Sequence, residues 1–258
     1  MRTTLDEIKA VLHAGFDSRL KQELITKEDF ANSIQVLQTK LDEGLNRMEE
    51  LRTRTDDILP DFCPSGSPNG IYQIKLRDLE PFKAPCATSP PGYTVIQRRI
   101  DGSENFNRTW EEYKTGFGNV RREFFIGLEK LHRMTEARPH ELFIKLRKDN
   151  GSTSYAHYDN FAIGSEEESY QLKNIGEYSG EAGDSLRESE HQKFSTLDRD
   201  NDNLSNFNCA SKNGACWLNG KYFKDGKGRN GIHWISWQHY DWSMSLTFVE
   251  MMIRPKSL

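Results

Sequence analysis

The first 59 residues of this 258-residue chain contain no proline, cysteine, tryptophan or tyrosine, and only two of its nineteen glycines. All nine prolines, five tryptophans, nine tyrosines and four cysteines come from Pro60 onward. A stretch without helix breakers or bulky aromatics can run as one long helix but cannot close a core of its own. A stretch rich in proline, glycine and aromatics needs loops around a packed centre. The chain therefore divides into an arm, residues 1–59, and a globular unit, residues 60–258.

The arm carries a heptad. With Phe16 at d and Leu20 at a, the seam runs through Glu23, Lys27, Phe30, Ile34, Leu37, Leu41, Gly44, Met48, Leu51, Thr55 and Ile58, and nine of these thirteen positions are apolar. Lys40, Asp42, Glu43, Arg47, Glu49, Glu50 and Arg52 surround it, as the solvated flanks of a coiled coil require. The expectation is an oligomerising coiled coil, with a lone amphipathic helix as the alternative; dimer and trimer stay open.

Charge removes several function classes. Thirty-five Lys and Arg against 39 Asp and Glu leave a net charge of −4, so no nucleic-acid partner is expected, since phosphate contacts need clustered cations. There is no run of 18 apolar residues and hence no membrane span. Met1–Ala10 has no apolar core of the signal-peptide kind. No GxSxG, no HExxH and no plausible cysteine–histidine pair is present, so the chain is not expected to be an enzyme. In the globular unit, Tyr93–Arg98 and Leu142–Leu146 are expected as strands, Trp110–Phe117 and Gly127–Thr135 as short helices, and 198–214 and 225–231 as long loops. Ile232–Trp237 also has a strand-like pattern. Four of the five tryptophans fall between Trp217 and Trp242, the pattern of a packed centre beside long loops.

The sharpest chemical signal is Asp198-Arg-Asp200-Asn-Asp202-Asn-Leu204-Ser-Asn206. Alternate carboxylates on an extended loop aim hard oxygens at one point, which suits calcium; a solvated acidic turn is the plain alternative. It is not an EF-hand, because Asn203 replaces the invariant glycine and Cys209 the final glutamate. Gly226-Lys-Gly228-Arg-Asn-Gly231 spells GxGxxG, but it lacks the strand–helix context of a nucleotide site and is expected to be a loop. Sequons occur at Asn107, Asn150 and Asn203; the first two are expected as glycosylation sites, whereas a glycan on Asn203 would compete with an ion. The cysteines at 63, 86, 209 and 216 allow three pairings, and their spacing does not suit a zinc knuckle.

Several ordered blocks resemble the fibrinogen C-terminal domain family. They are Asn69-Gly70-Ile-Tyr72-Gln-Ile74, Val95-Ile-Gln97-Arg98-Arg99-Ile-Asp101-Gly102-Ser103, Phe106 with Trp110 and Tyr113-Lys-Thr-Gly116-Phe-Gly118, and Glu123-Phe-Phe-Ile-Gly127-Leu-Glu129. Further along come Tyr178-Ser-Gly180-Glu-Ala-Gly183-Asp184-Ser-Leu186, Phe194-Ser-Thr196, Asn208-Cys209-Ala210 and Met251-Met-Ile-Arg-Pro255. The resemblance covers roughly residues 61–258, and ficolins, tachylectins, angiopoietins and fibrinogen chains share it.

It implies an α+β fold, the fibrinogen globe with a mixed sheet, short helices and a loop-rich binding subdomain, preceded here by the helical coiled coil. It implies a secreted, disulfide-bonded protein that binds an extracellular glycan or protein ligand, with Cys63–Cys86 as one bridge and Cys216 as a substitute partner for Cys209. Carried onto the acidic loop, it places Ca2+ on the side chains of Asp200 and Asp202 and the carbonyls of Leu204 and Asn206, in a loop one residue longer before Cys209 than in ficolins.

Two departures touch the ligand pocket. The stretch that carries a Cys-His pair in lectin-type members is missing between Trp217 and Leu218, and Met244 stands where a pocket-wall tyrosine is usual. A phenol and an imidazole that would hydrogen-bond an acetamide are thereby lost. The expected function is lectin-like innate-immune pattern recognition. A signalling or matrix ligand acting through protein contacts is the runner-up, and a degenerate member without the acetyl pocket is the third reading.

Overall fold

The computed structural model describes residues 3–56, 59–66, 68–203, 208–212 and 217–256. The chain separates into two compact units, Met1–Ile58 and Leu59–Leu258. The first is a single helix, α1 (Thr3–Asp56). Its seam side chains Phe16, Leu20, Phe30, Ile34, Leu37, Leu41, Met48 and Leu51 are 41–68% exposed, so the apolar stripe lies open along the helix. No helix among the described residues is long and apolar enough to cross a membrane.

The globular unit is built on one sheet with the order β1 (Gly70–Ile74), β2 (Phe82–Thr88), β3 (Pro91–Arg99), β10 (Phe248–Pro255), β6 (His140–Arg147), β7 (Thr153–Ile163), β8 (Leu172–Asn174). Strand β5 (Phe124–Phe125) pairs with β3, β4 (Phe117–Gly118) with β5, and β9 (Tyr178–Gly180) with β7. Every pairing among the described residues is antiparallel. In β6 the period of two is plain: His140, Leu142, Ile144 and Leu146 are buried and Glu141, Phe143 and Lys145 half-buried. The expected strands at 93–98 and 142–146 thus lie inside β3 and β6. The C-terminal strand β10 sits between β3 and β6, so the chain returns from its long loops to the middle of the sheet.

Two short helices cover the sheet. Helix α2 (Trp110–Thr115) opens on a capping box in which Thr109 and Glu112 exchange side-chain and backbone hydrogen bonds. It stops two residues before the expected end. Gly116 has φ +93°, and a Cβ there would lie 2.4 Å from the Ile126 carbonyl oxygen, so Phe117 turns out of the helix into β4. Helix α3 (Leu128–Ala137) follows Gly127 and ends before Pro139, which disfavours helical backbone at Arg138.

The strand-like run 232–237 forms turns and no strand. Its donors are taken by side chains: the Ile232 N–H goes to Ser245 Oγ at 2.9 Å and the Trp234 N–H to Gln238 Oε1 at 2.7 Å. Those two donors, which face the same side, are lost to a ladder, and the side chains of Ile232, Trp234 and Ile235 are buried beneath the loops.

Candidate functional site: the loop-rich subdomain

Between β7 and β10 the chain makes little regular structure: β8, β9, α4 (Cys209–Lys212) and two single-turn 3-10 segments. Irregular backbone of this length needs side-chain anchors to hold one shape. Four sets are visible, the first of them outside this stretch, in the loop after β3.

Glu123, with its side chain fully buried, gathers the loop after β3. Its Oε1 accepts the N–H groups of Ile100 (2.7 Å), Asp101 (3.1 Å) and Gly102 (3.1 Å), and its Oε2 that of Glu104 (3.0 Å). Arg99 Nε stands 3.8 Å from the same carboxylate. Arg99 is the second anchor: its Nη1 donates to the carbonyls of Leu218 (3.0 Å) and Gly220 (2.8 Å), and its guanidinium lies 3.9 Å over the Phe106 ring. Burial, partly offset by Glu123, pushes its pKa down to about 10, so it stays a cation at neutral pH. Arg99 thus ties the sheet to the turn at 218–220.

The third set joins 182–185 to 234–236. Ser236 Oγ donates to the Ala182 carbonyl (2.8 Å), the Ser236 N–H donates to Ser185 Oγ (2.9 Å), and Trp234 Nε1 donates to the Gly183 carbonyl (2.9 Å). Gly183 has φ +77°, and a Cβ on it would fall 2.6 Å from Ser236. The fourth is Gln238, whose Oε1 accepts from Trp234 and whose Nε2 donates to the Met244 carbonyl at 2.8 Å. It closes a turn that holds two consecutive non-glycine residues, His239 (φ 53°) and Tyr240 (φ 61°), in the left-handed region. Such residues cost about 1–3 kcal/mol each and persist only where the surroundings over-determine them. None of these anchors was singled out for its role from the sequence, because a lone Glu, Arg, Gln or Ser has no spacing signature.

Of the expected calcium ligands, Asp200 is exposed and its Oδ1 accepts the Asp202 N–H at 3.2 Å, while Asp202 Oδ2 accepts the Cys209 N–H at 3.0 Å. Leu204 and Asn206 lie outside the described residues. Asp198, the first acid of the run, points elsewhere: its Oδ1 accepts the Trp110 N–H (2.9 Å) and the Thr196 hydroxyl (2.8 Å), docking the loop on α2. Arg199 stacks 3.9 Å over Trp110, whose Nε1 donates to Glu166. No group of three or more His, Cys, Asp or Glu able to hold a metal occurs among the described residues. Asp200 and Asp202 are hard oxygen donors two residues apart, the class of side chain that calcium takes.

Cys63 and Cys86 form a disulfide with a Cα–Cα distance of 5.5 Å. Cys209 is disulfide-bonded as well, and Cys216 lies outside the described residues. Asn107 and Asn150 are both exposed, and Asn150 Oδ1 accepts the Ser152 N–H at 3.0 Å. Asn203 is engaged by Gln192 at 2.5 Å. The GxGxxG string is a turn with Gly226 at φ +65°; it is followed by no helix and presents no nucleotide cradle. A depression of about 180 Å³ on the sheet is lined by Arg98, Lys145 and Glu250, whose charges already pair with one another.

Two buried histidines give the unit a pH response. Burial lowers the pKa of His140 and of His233 below the ordinary 6.5, against the opposing bonds to the Arg138 and Arg229 carbonyls. The unfolded chain then binds protons that the folded chain refuses. Stability is full above pH about 6.5 and falls as pH drops from there toward the folded pKa values. Urea melts between pH 7.5 and about 5 are expected to show this loss, and His140→Asn/His233→Asn to flatten it; an unchanged slope in that variant would refute the assignment.

Residues 63–256 match the family described as "Fibrinogen beta and gamma chains, C-terminal globular domain". The chain belongs to the fibrinogen C-terminal domain family. Fibroleukin of Bos taurus is 44% identical over 191 residues, covering 66% of this chain and 43% of that protein. Human fibrinogen-like protein 1 is 42% identical over 215 residues, covering 72% of this chain and 68% of that protein. The chain thus spans less than half of fibroleukin's length. The fibrinogen-like globe domain of human ANGPTL2 superposes with a TM-score of 0.72 at 34% identity, over 77% of this chain and all of that one. A lamprey fibrin D-dimer complexed with the peptide Gly-His-Arg-Pro-amide gives a TM-score of 0.69 at 27% identity, over all of this chain and 95% of that one. Within this fibrinogen-related globe, the anchors around Arg99, Trp234 and Gln238 hold the loops between β7 and β10.

Proposed function

We propose that the chain is an extracellular, non-enzymatic recognition protein of the fibrinogen-related family. Its loop-rich subdomain binds a glycan in a lectin-like, innate-immune role, and its helical arm gathers copies into a homo-oligomer. The observation that carries this reading is the bracing of the loops between β7 and β10: buried side chains hold an irregular surface in one shape, as a preorganised binding surface requires and a structural sheet does not. The Cys63–Cys86 bridge supports an oxidising, extracellular setting. The open apolar seam of α1 supports self-association, which would strengthen weak single-site binding by raising effective concentration.

Calcium would be held by Asp200 and Asp202 with the carbonyls of Leu204 and Asn206, bracing the loop. Asn107 and Asn150 would carry glycans. A protein ligand is the second reading, favoured by Met244 in the pocket wall and by the peptide seen on the lamprey relative.

Calcium titration of the full chain, followed by calorimetry and melting, is paired with a glycan array with and without EDTA. Calcium binding that raises the melting temperature and is lost in Asp200→Ala, with EDTA-sensitive glycan binding, is the expected result. Glycan silence on the whole array would turn the assignment to the protein-contact reading; failure to bind calcium would remove the ion from it.

A further inference from the structure

Tyr240 and Trp242, two residues apart, are 73% and 52% exposed, whereas the other large apolar side chains noted as exposed in the globular unit, Tyr155 and Leu197, reach only 38% and 37%. The turn that presents them is not loose. The Tyr240 N–H donates to the Ile235 carbonyl (3.1 Å), the Asp241 N–H to that of Gln238 (3.0 Å), and Asp241 Oδ1 takes the Ser243 hydroxyl and N–H. Beneath it lies His233, 3% exposed, its ring 5.2 Å from that of Trp242 in an edge-on contact. His233 Nδ1 is buried with no hydrogen-bond partner. A strained backbone, an unpaired buried nitrogen and two large rings left in water occur together at one turn. Unmatched groups of this kind concentrate at binding sites.

The charge beside the rings is positive. Lys227 bridges Met244, and the Gly228 N–H donates to the Ser243 carbonyl at 2.8 Å, so the segment 226–229 lies along the turn. The Arg229 carbonyl meets His233 Nε2 at 2.9 Å, on the imidazole against which Trp242 packs. Lys227 and Arg229 are both exposed, and neither forms a salt bridge among the described residues. Asp241 is the acid that faces Arg229, and its carboxylate already serves Ser243. Across 221–229 there are four cations and one acid.

We propose that Tyr240 and Trp242 form a stacking platform for an anionic saccharide, whose sugar ring lies on the aromatic faces and whose sulfate or carboxylate is held by Lys227 and Arg229. The inference rests on the glycan reading above and places the contact on the exposed turn beside Met244, the residue that stands where the acetyl pocket's wall tyrosine is usual. Flat, rigid rings lose little side-chain freedom on binding, and unpaired exposed cations attract an anion with a marked dependence on salt. A neutral sugar would gain the stacking without the charge.

The test uses the full chain and three probes: a heparin-derived tetrasaccharide, sialyllactose and lactose. The expected result is binding of at least one anionic probe, with lactose weaker by about tenfold or more. Tyr240→Ala and Trp242→Ala should each weaken the anionic probe by about tenfold, and Lys227→Ala/Arg229→Ala should weaken it and flatten its salt dependence. Tyr240→Ala removes a side chain that is mostly in water, so it remains informative if Trp242→Ala disturbs His233; melting curves separate the two effects. Whether the tetrasaccharide or sialyllactose responds identifies sulfate or carboxylate as the source of the anion. Equal binding of lactose, or an anionic affinity unchanged by either aromatic substitution, would overturn the platform. Calcium-dependent glycan binding that survives all these variants would overturn the platform alone, leaving the lectin-like reading intact. Silence toward every saccharide would overturn both.

Discussion

Alanine in place of Glu123 is expected to lower the unfolding free energy of the globular unit by about 3–5 kcal/mol, the range for breaking a buried charge pair from one side. Four backbone N–H groups at 100–104 lose their acceptor at once. Each donor left unsatisfied in a dry site costs about 1–3 kcal/mol, and water entering the space of the lost carboxylate limits the sum. Arg99 loses its counter-charge while its guanidinium stays buried, held only by the Leu218 and Gly220 carbonyls and the Phe106 ring. The damage therefore reaches two places, the loop after β3 and the turn at 218–220. Removing the stranded cation as well, in Glu123→Ala/Arg99→Met, is expected to cost less than the sum of the two single changes, since the charges no longer leave each other unpaired. Urea melts of the four proteins measure this coupling. A Glu123→Ala protein within about 1 kcal/mol of the parent would show that solvent, not Glu123, satisfies that loop.

The sheet, the short helices and the arm were legible because each obeys a period. The alternation in 140–147 and the heptad from Phe16 are properties of the backbone geometry itself. Two errors had one physical origin, a competition that period cannot see. Gly116 ends α2 because the Ile126 carbonyl leaves no room for a Cβ, and 232–237 fails to become a strand because Ser245 and Gln238 take its donors. Both partners lie outside the pattern being read. The candidate site followed the same rule. The acidic run was visible as a string of carboxylates, but its division of labour was not: Asp198 docks on Trp110, 88 residues earlier, while Asp200 and Asp202 accept the N–H groups of Asp202 and Cys209. Glu123 stood within a block that resembled the family without any sign that four amides depended on it.

Trp234→Ala is expected to cost about 3–5 kcal/mol and, more tellingly, to unfold the loops at 182–185 and 232–241 before the sheet. Trp234 is 1% exposed. Its indole N–H holds the Gly183 carbonyl, its backbone N–H is held by Gln238, and its carbonyl accepts from Trp237 and Gln238. The side chain is thus the plug between 182–185 and 232–241, while the sheet behind it is closed by separate ladders at β3, β10 and β6. Amide exchange should accelerate in those two segments first, with β6 and β10 still protected. Trp234→Phe keeps most of the apolar volume but leaves the Gly183 carbonyl without its donor, so a smaller loss of about 1–2 kcal/mol is expected with the same segments affected. Uniform acceleration across sheet and loops would instead mean that the unit unfolds as one body and that the loops have no stability of their own to lose. The distinction bears on recognition, because the left-handed backbone at His239 and Tyr240 is held by the turn that Trp234 and Gln238 close. When that clamp opens, the strain is released by moving Tyr240, and the surface proposed above for saccharide binding is no longer held ready. Affinity should then fall in both tryptophan variants in proportion to the local, not the global, loss of protection.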